Sequence, residues 1–181
     1  MSRIGIVGVA ATALLLVGLA AGCGGSDSGS SSAPTDTAAS GTNERLTAGQ
    51  WDEYQAVAEP FAAANAAMLE KFDECPRSGT GDTALFTKCL GETLTTVEDT
   101  TTALRTTLTS FNGTVSGTCA TSLAGYTSYT TPYLASITSM QEALETENLA
   151  AFNSAYSNAE VAAKGGKEER TAFETDCAPA S

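Results

Sequence analysis

Four stretches of this chain carry their apolar residues at alternating three- and four-residue steps, the spacing that lines up along one face of an α-helix. The first runs through Trp51, Tyr54, Ala58, Phe61, Asn65, Met68, Phe72 and Cys75. The second uses Phe86, Leu90, Leu94, Val97, Thr101, Leu104, Leu108 and Phe111. The third uses Cys119, Leu123, Tyr126, Thr130, Tyr133, Ile137, Met140 and Leu144. The fourth starts Phe152, Tyr156, Ala159, Ala163, passes Gly166 and Arg170, and resumes at Phe173 and Cys177. The opposite faces carry Asp, Glu, Thr and Ser, as amphipathic helices require. No segment alternates with period two over a useful length, which leaves no strand to build a sheet from.

Terminus signals agree with these seams. Thr47-Ala48-Gly49-Gln50 is a capping box, in which the Thr47 hydroxyl and the Gln50 side chain each satisfy an orphan backbone N–H. Asp82, Ser116 and either Thr146 or Asn148 stand where caps of the later helices belong, and Asn112-Gly113 is a stop signal. The connection around Glu145 to Asn148 is too short for anything but antiparallel neighbours. The expected fold is therefore all-α: an up-down-up-down bundle of four helices at roughly 47–75, 82–112, 116–146 and 148–177.

That topology selects the disulfides. Cys75 ends the first helix and Cys89 lies two turns into the second, both at one end of the bundle. Cys119 opens the third helix and Cys177 ends the fourth, both at the other end. A disulfide tolerates Cα separations up to roughly 7 Å, so pairing across the ends is excluded and Cys75–Cys89 and Cys119–Cys177 follow. By loop-closure entropy the two are worth on the order of 3 and 4 kcal/mol. The seams hold many Ala, Thr and Tyr, so these staples matter.

The fifth cysteine, Cys23, belongs to a different argument. Arg3 precedes an uncharged apolar run from Ile4 to Ala21, and small residues then lead into Gly22-Cys23-Gly24. That arrangement is a secretory signal peptide with a small-residue cleavage site. It resembles a bacterial lipoprotein signal. The family favours Leu three positions before the cysteine; here Ala20 stands there and Leu19 one place further back. The Ala, Gly and Thr bias is similar to that of actinobacterial proteins. The resemblance implies that residues 1–22 are removed, that the Cys23 thiol carries diacylglycerol, and that the mature protein is held on the outer, extracytoplasmic face of the cell membrane. Two acyl chains on one residue give stable anchoring where one does not. Residues 23–42 are almost wholly Gly, Ser, Ala, Thr, Pro and Asp after the cysteine, and read as a disordered tether reaching roughly 25 Å. The helical domain then occupies 43–181.

Charge and composition exclude several functions. The chain carries −12, or −13 once the segment with Arg3 is removed. Nucleic acid and anionic lipid surfaces both call for a basic footprint, so neither is an expected partner of the folded domain. There is no histidine, which removes Ser-His-Asp and Cys-His nucleophiles and the Glu-x-x-His metal sites of helical bundles. The carboxylate pairs Asp73-Glu74, Glu98-Asp99, Glu168-Glu169 and Glu142 with Glu145 sit off the seams and read as solvated faces rather than metal ligands. No catalytic residue, metal or cofactor is expected, and the chain reads as a non-enzymatic binding or interaction module with an envelope protein or cell-wall partner.

One constellation allows an alternative. Pro60 and Pro132 interrupt the first and third helices. At similar height the seams turn polar or small at Asn65, Thr101, Thr130, Tyr133, Ala163 and Gly166. A cavity at this level would make the protein a carrier or sensor of a small ligand bound by Asn65, Thr101, Thr130, Tyr133 and Ala163. The competing structural explanation is that Asn65 satisfies a carbonyl freed by Pro60.

Overall fold

The computed structural model describes residues 43–75 and 83–180; Cys23, the leader, the tether and Asp82 lie outside the described residues. Four antiparallel helices account for nearly all of it: α1 (Ala48–Glu74), α2 (Thr83–Ser110), α3 (Gly117–Glu145) and α4 (Leu149–Cys177). The end at which α1 starts is here called the base and the other the apex.

Among the described residues the caps fall where the sequence puts them, with one exception. Gln50 N–H donates to the Thr47 hydroxyl over 3.3 Å, and Thr47 N–H donates to Gln50 Oε1 over 3.0 Å, which closes the capping box. Asn148 accepts from Ala151 N–H over 3.0 Å at the start of α4. Ser116 occupies the N-cap of α3 but caps nothing: its hydroxyl donates to Asn43 O over 3.2 Å. The segment before α1 draws that hydroxyl away. Asn43 pairs with Val115, Leu46 N–H donates to Cys177 O over 3.1 Å, and the Arg45 guanidinium donates to Thr175 O and Ala178 O. Residues 43–46 thus strap the base, and Arg45 supplies donors to the open carbonyls that end α4. Gly113, at φ 80°, makes the stop after α2 that Asn112-Gly113 signals.

The seams become the core. All eight expected positions of α2 and all eight of α3 are buried. In α4 the stripe passes from Ala159 to Gly166 through half-buried Ala162, and Ala163 is exposed. The expected step of four residues from Ala159 is a step of three in the helix. The two disulfides are Cys75–Cys89 and Cys119–Cys177, with Cα separations of 5.9 and 4.8 Å.

The helices are not evenly spaced. Backbones of α1 and α2, α2 and α3, and α3 and α4 lie close, yet no Cα of α1 comes within 8 Å of α4. Two glycines account for the tight α3–α4 contact. A Cβ on Gly166 would lie 2.3 Å from the Tyr129 ring, and one on Gly125 would lie 2.1 Å from the Glu169 carboxylate. Rings fill the wide side. Tyr54 meets Phe173 with centroids 4.9 Å apart near the base, and Phe72 meets Tyr156 at 4.7 Å near the apex.

Candidate functional site

The polar level of the bundle brings two of its five expected residues together. Tyr133 donates its hydroxyl to Asn65 Oδ1, and Asn65 Nδ2 donates to Phe61 O over 2.7 Å. Phe61 O is the carbonyl four residues back along α1, so Asn65 does not serve the acceptor that Pro60 frees, which belongs to Ala56. Thr101 and Thr130 are fully buried and close on their own helices, donating to Val97 O and Thr127 O over 2.6 Å each. Ala163 faces outward and takes no part. Neither of the two surface clefts that stand out, one along the outer face of α4 and one at the base beside Arg45 and Ser116, is lined by any of these five residues. Its polar groups spend their hydrogen bonds on one another or on the backbone of their own helices, and the Phe61 ring closes over Tyr133 with centroids 6.1 Å apart.

A second polar cluster, nearer the base, joins three helices. Tyr54 of α1 donates its hydroxyl to Glu174 Oε1 over 2.7 Å, and Arg170 Nε donates to the same oxygen over 2.7 Å. Tyr126 of α3 points into this group from the far side. Its hydroxyl approaches that of Tyr54 without closing a well-formed hydrogen bond, and among the described residues it is buried with no partner. An Arg inside an otherwise apolar seam was the signal in the sequence. The antiparallel register then sets it opposite Tyr54.

Burial dominates the electrostatics here. It pushes the Tyr126 phenol up to about 12, with the Arg170 charge holding it back. Tyr54 is raised further, by burial first and then by the neighbouring Tyr126 and Glu174. Burial works against the Arg170 charge, and the hydrogen bond to Glu174 together with the electrostatic pull of Tyr54, Glu174 and Tyr126 more than offsets it, so its pKa is raised. The cluster is therefore two neutral phenols against one ion pair. Above it, Tyr126, Tyr129 and Tyr133 form a column on α3 with successive centroids 6.0 and 5.6 Å apart. Burial likewise raises Tyr129 and Tyr133.

Among the described residues no group of three or more Cys, Asp or Glu gathers where it could hold a metal ion, and no helix is long and apolar enough to cross a membrane. The architecture defines the class of protein: a four-helix up-down bundle stapled at both ends by disulfides. Comparison with protein-family models, with curated proteins and with solved structures finds no match.

Proposed function

We propose that this chain is an extracytoplasmic lipoprotein of the bacterial cell membrane, anchored through diacylglycerol on Cys23, and that its bundle is a non-enzymatic binding module for an envelope protein or cell-wall component. The observation that carries the reading is the leader: Arg3, the uncharged run Ile4–Ala21 and the cysteine right after small residues. Two disulfides are in keeping with an oxidising compartment outside the cytoplasm. The absence of histidine from the whole sequence argues against acid–base or nucleophilic enzyme chemistry of the common kinds. The direct Asn65–Tyr133 hydrogen bond takes away the polar handle that the carrier alternative needs.

Replacing Cys23 with Ala should move the protein from the membrane fraction to the medium, or leave an uncleaved precursor. A variant that stays membrane-bound and is processed to the same size overturns the anchor. Crosslinking and co-purification from native membranes then identifies the partner.

A further inference from the structure

Five oxidisable rings form an unbroken column through the bundle. It starts at half-buried Trp51, whose ring lies 5.2 Å from that of Tyr54. Tyr126 follows at 6.4 Å, Tyr129 at a further 6.0 Å and Tyr133 at a further 5.6 Å. An electron vacancy crosses such separations readily, so the place where it stops is decided by proton chemistry. A phenol that loses an electron becomes a very strong acid, and its proton must pass to a base already within hydrogen-bond reach. The hydroxyls differ in just this respect. Tyr54 donates to a carboxylate, Glu174 Oε1. Tyr133 donates to an amide oxygen, which is a poor base, and Tyr126 donates to nothing.

We propose that Trp51, Tyr54 and Glu174 form a one-electron donor site for small diffusible oxidants of the peroxyl-radical class. The oxidant takes one electron from the Trp51 indole and, as a hydroperoxide anion, collects a proton from water. Tyr54 returns an electron to the indole and passes its O–H proton to Glu174 Oε1. The net products are a neutral phenoxyl radical at Tyr54 and a carboxylic acid at Glu174, with Trp51 restored. Glu174 is 37 % exposed and gives the proton on to solvent. Arg170 positions the acceptor oxygen by its own hydrogen bond. Tyr126 has no base within hydrogen-bond reach among the described residues, so the vacancy rests at Tyr54. This activity goes beyond the binding role proposed above and does not depend on it.

The test uses the full chain in detergent, photogenerated tris(bipyridine)ruthenium(III) as the oxidant with persulfate as sacrificial acceptor, and freeze-quenched electron paramagnetic resonance. Wild type should give a neutral tyrosyl signal. Tyr54→Phe should abolish it and shift the damage to Trp51, seen as oxidised indole in peptide maps. Glu174→Gln keeps the shape and removes the base, and should cut the tyrosyl yield several-fold with the helical circular dichroism unchanged. Tyr156, which also has a carboxylate nearby in Glu160 but stands outside the column, serves as the internal comparison. A signal that survives Tyr54→Phe, or that Tyr156→Phe removes instead, overturns the proposal. So does a yield unchanged in Glu174→Gln, which decides the matter even if Tyr54→Phe fails to fold.

Discussion

Gly165 and Gly166 are neighbours on α4, and the same substitution should have opposite effects on the two. At Gly165 an added Cβ meets nothing within 4 Å, and the position is exposed. Ala there removes backbone entropy from the unfolded chain and should stabilise by about 0.5–1 kcal/mol. At Gly166 the Cβ would sit 2.3 Å from two atoms of the Tyr129 ring and 2.5 Å from a third, where ordinary contact begins at 3.4 Å. The ring cannot retreat freely along α3, because Tyr126 and Tyr133 flank it at 6.0 and 5.6 Å. Either α4 moves off α3 or Tyr129 leaves its place, and overpacking of this kind costs about 1–3 kcal/mol. With the helix-propensity gain of about 1 kcal/mol set against it, Gly166→Ala should destabilise by up to about 2 kcal/mol.

Urea unfolding with the disulfides intact measures both variants. At constant m the midpoint should fall by up to about 1 M for Gly166→Ala and rise for Gly165→Ala. In a Tyr129→Ala background the clash is gone, so Gly166→Ala should there become stabilising, a coupling that a double-mutant cycle reads directly. If both alanines stabilise in wild type, or if Tyr129 makes no difference, the close α3–α4 packing described above is wrong.

Three further outcomes are expected. Asn65→Leu should destabilise by about 1–3 kcal/mol because it leaves the Tyr133 hydroxyl buried and unpaired, and adding Tyr133→Phe should restore most of the loss, as thermal or urea melts would show. Stability should fall as pH rises above about 10, by up to about 1.4 kcal/mol per pH unit for each buried phenol: Tyr54, Tyr126, Tyr129 and Tyr133 are all raised, so the folded state keeps protons that the unfolded state has lost, and alkaline melts followed alongside phenolate absorbance would check this. Limiting reductant under native conditions should open Cys75–Cys89 first, because Cys89 is half-buried whereas Cys119 and Cys177 are both 0 % exposed; alkylation and peptide mapping would detect the order, and early loss of Cys119–Cys177 would contradict it.

Periodicity made the helices and their inward faces legible, and antiparallel order made the disulfides legible, because both follow from one-dimensional spacing. On part of α4 spacing carries no mark. Between Ala155 and Gly166 the inner side of α4 is built from small residues, so stepping from Ala159 to Ala162 or to Ala163 looks the same on paper. At the expected ligand level spacing is silent for another reason. Small and polar seam positions suggested empty space, but a seam says which residues face inward and not what they meet. Rings from α1 and α3 occupy the volume that small residues on α4 leave free. The Tyr54–Glu174–Arg170 cluster depends on register between helices distant in sequence, which no single-helix pattern encodes.

The helix that needs most outside help is α1. Backbone proximity ties it to α2 alone, and a bundle whose fourth side is open at the backbone has lost part of the area that small domains depend on. The chain meets this with fastenings spread along the helix. At the base, Leu46 N–H bonds Cys177 O. One level up, Tyr54 reaches Glu174 on α4, and at mid-height Asn65 accepts from Tyr133 on α3. At the apex, Cys75 is bonded covalently to Cys89 on α2. The two side-chain bonds are directional, where ring packing alone would tolerate a slide by one turn. They hold α1 in register across a gap that only large, sliding-tolerant rings fill, and so the polar groups in this core specify the fold more than they serve any ligand.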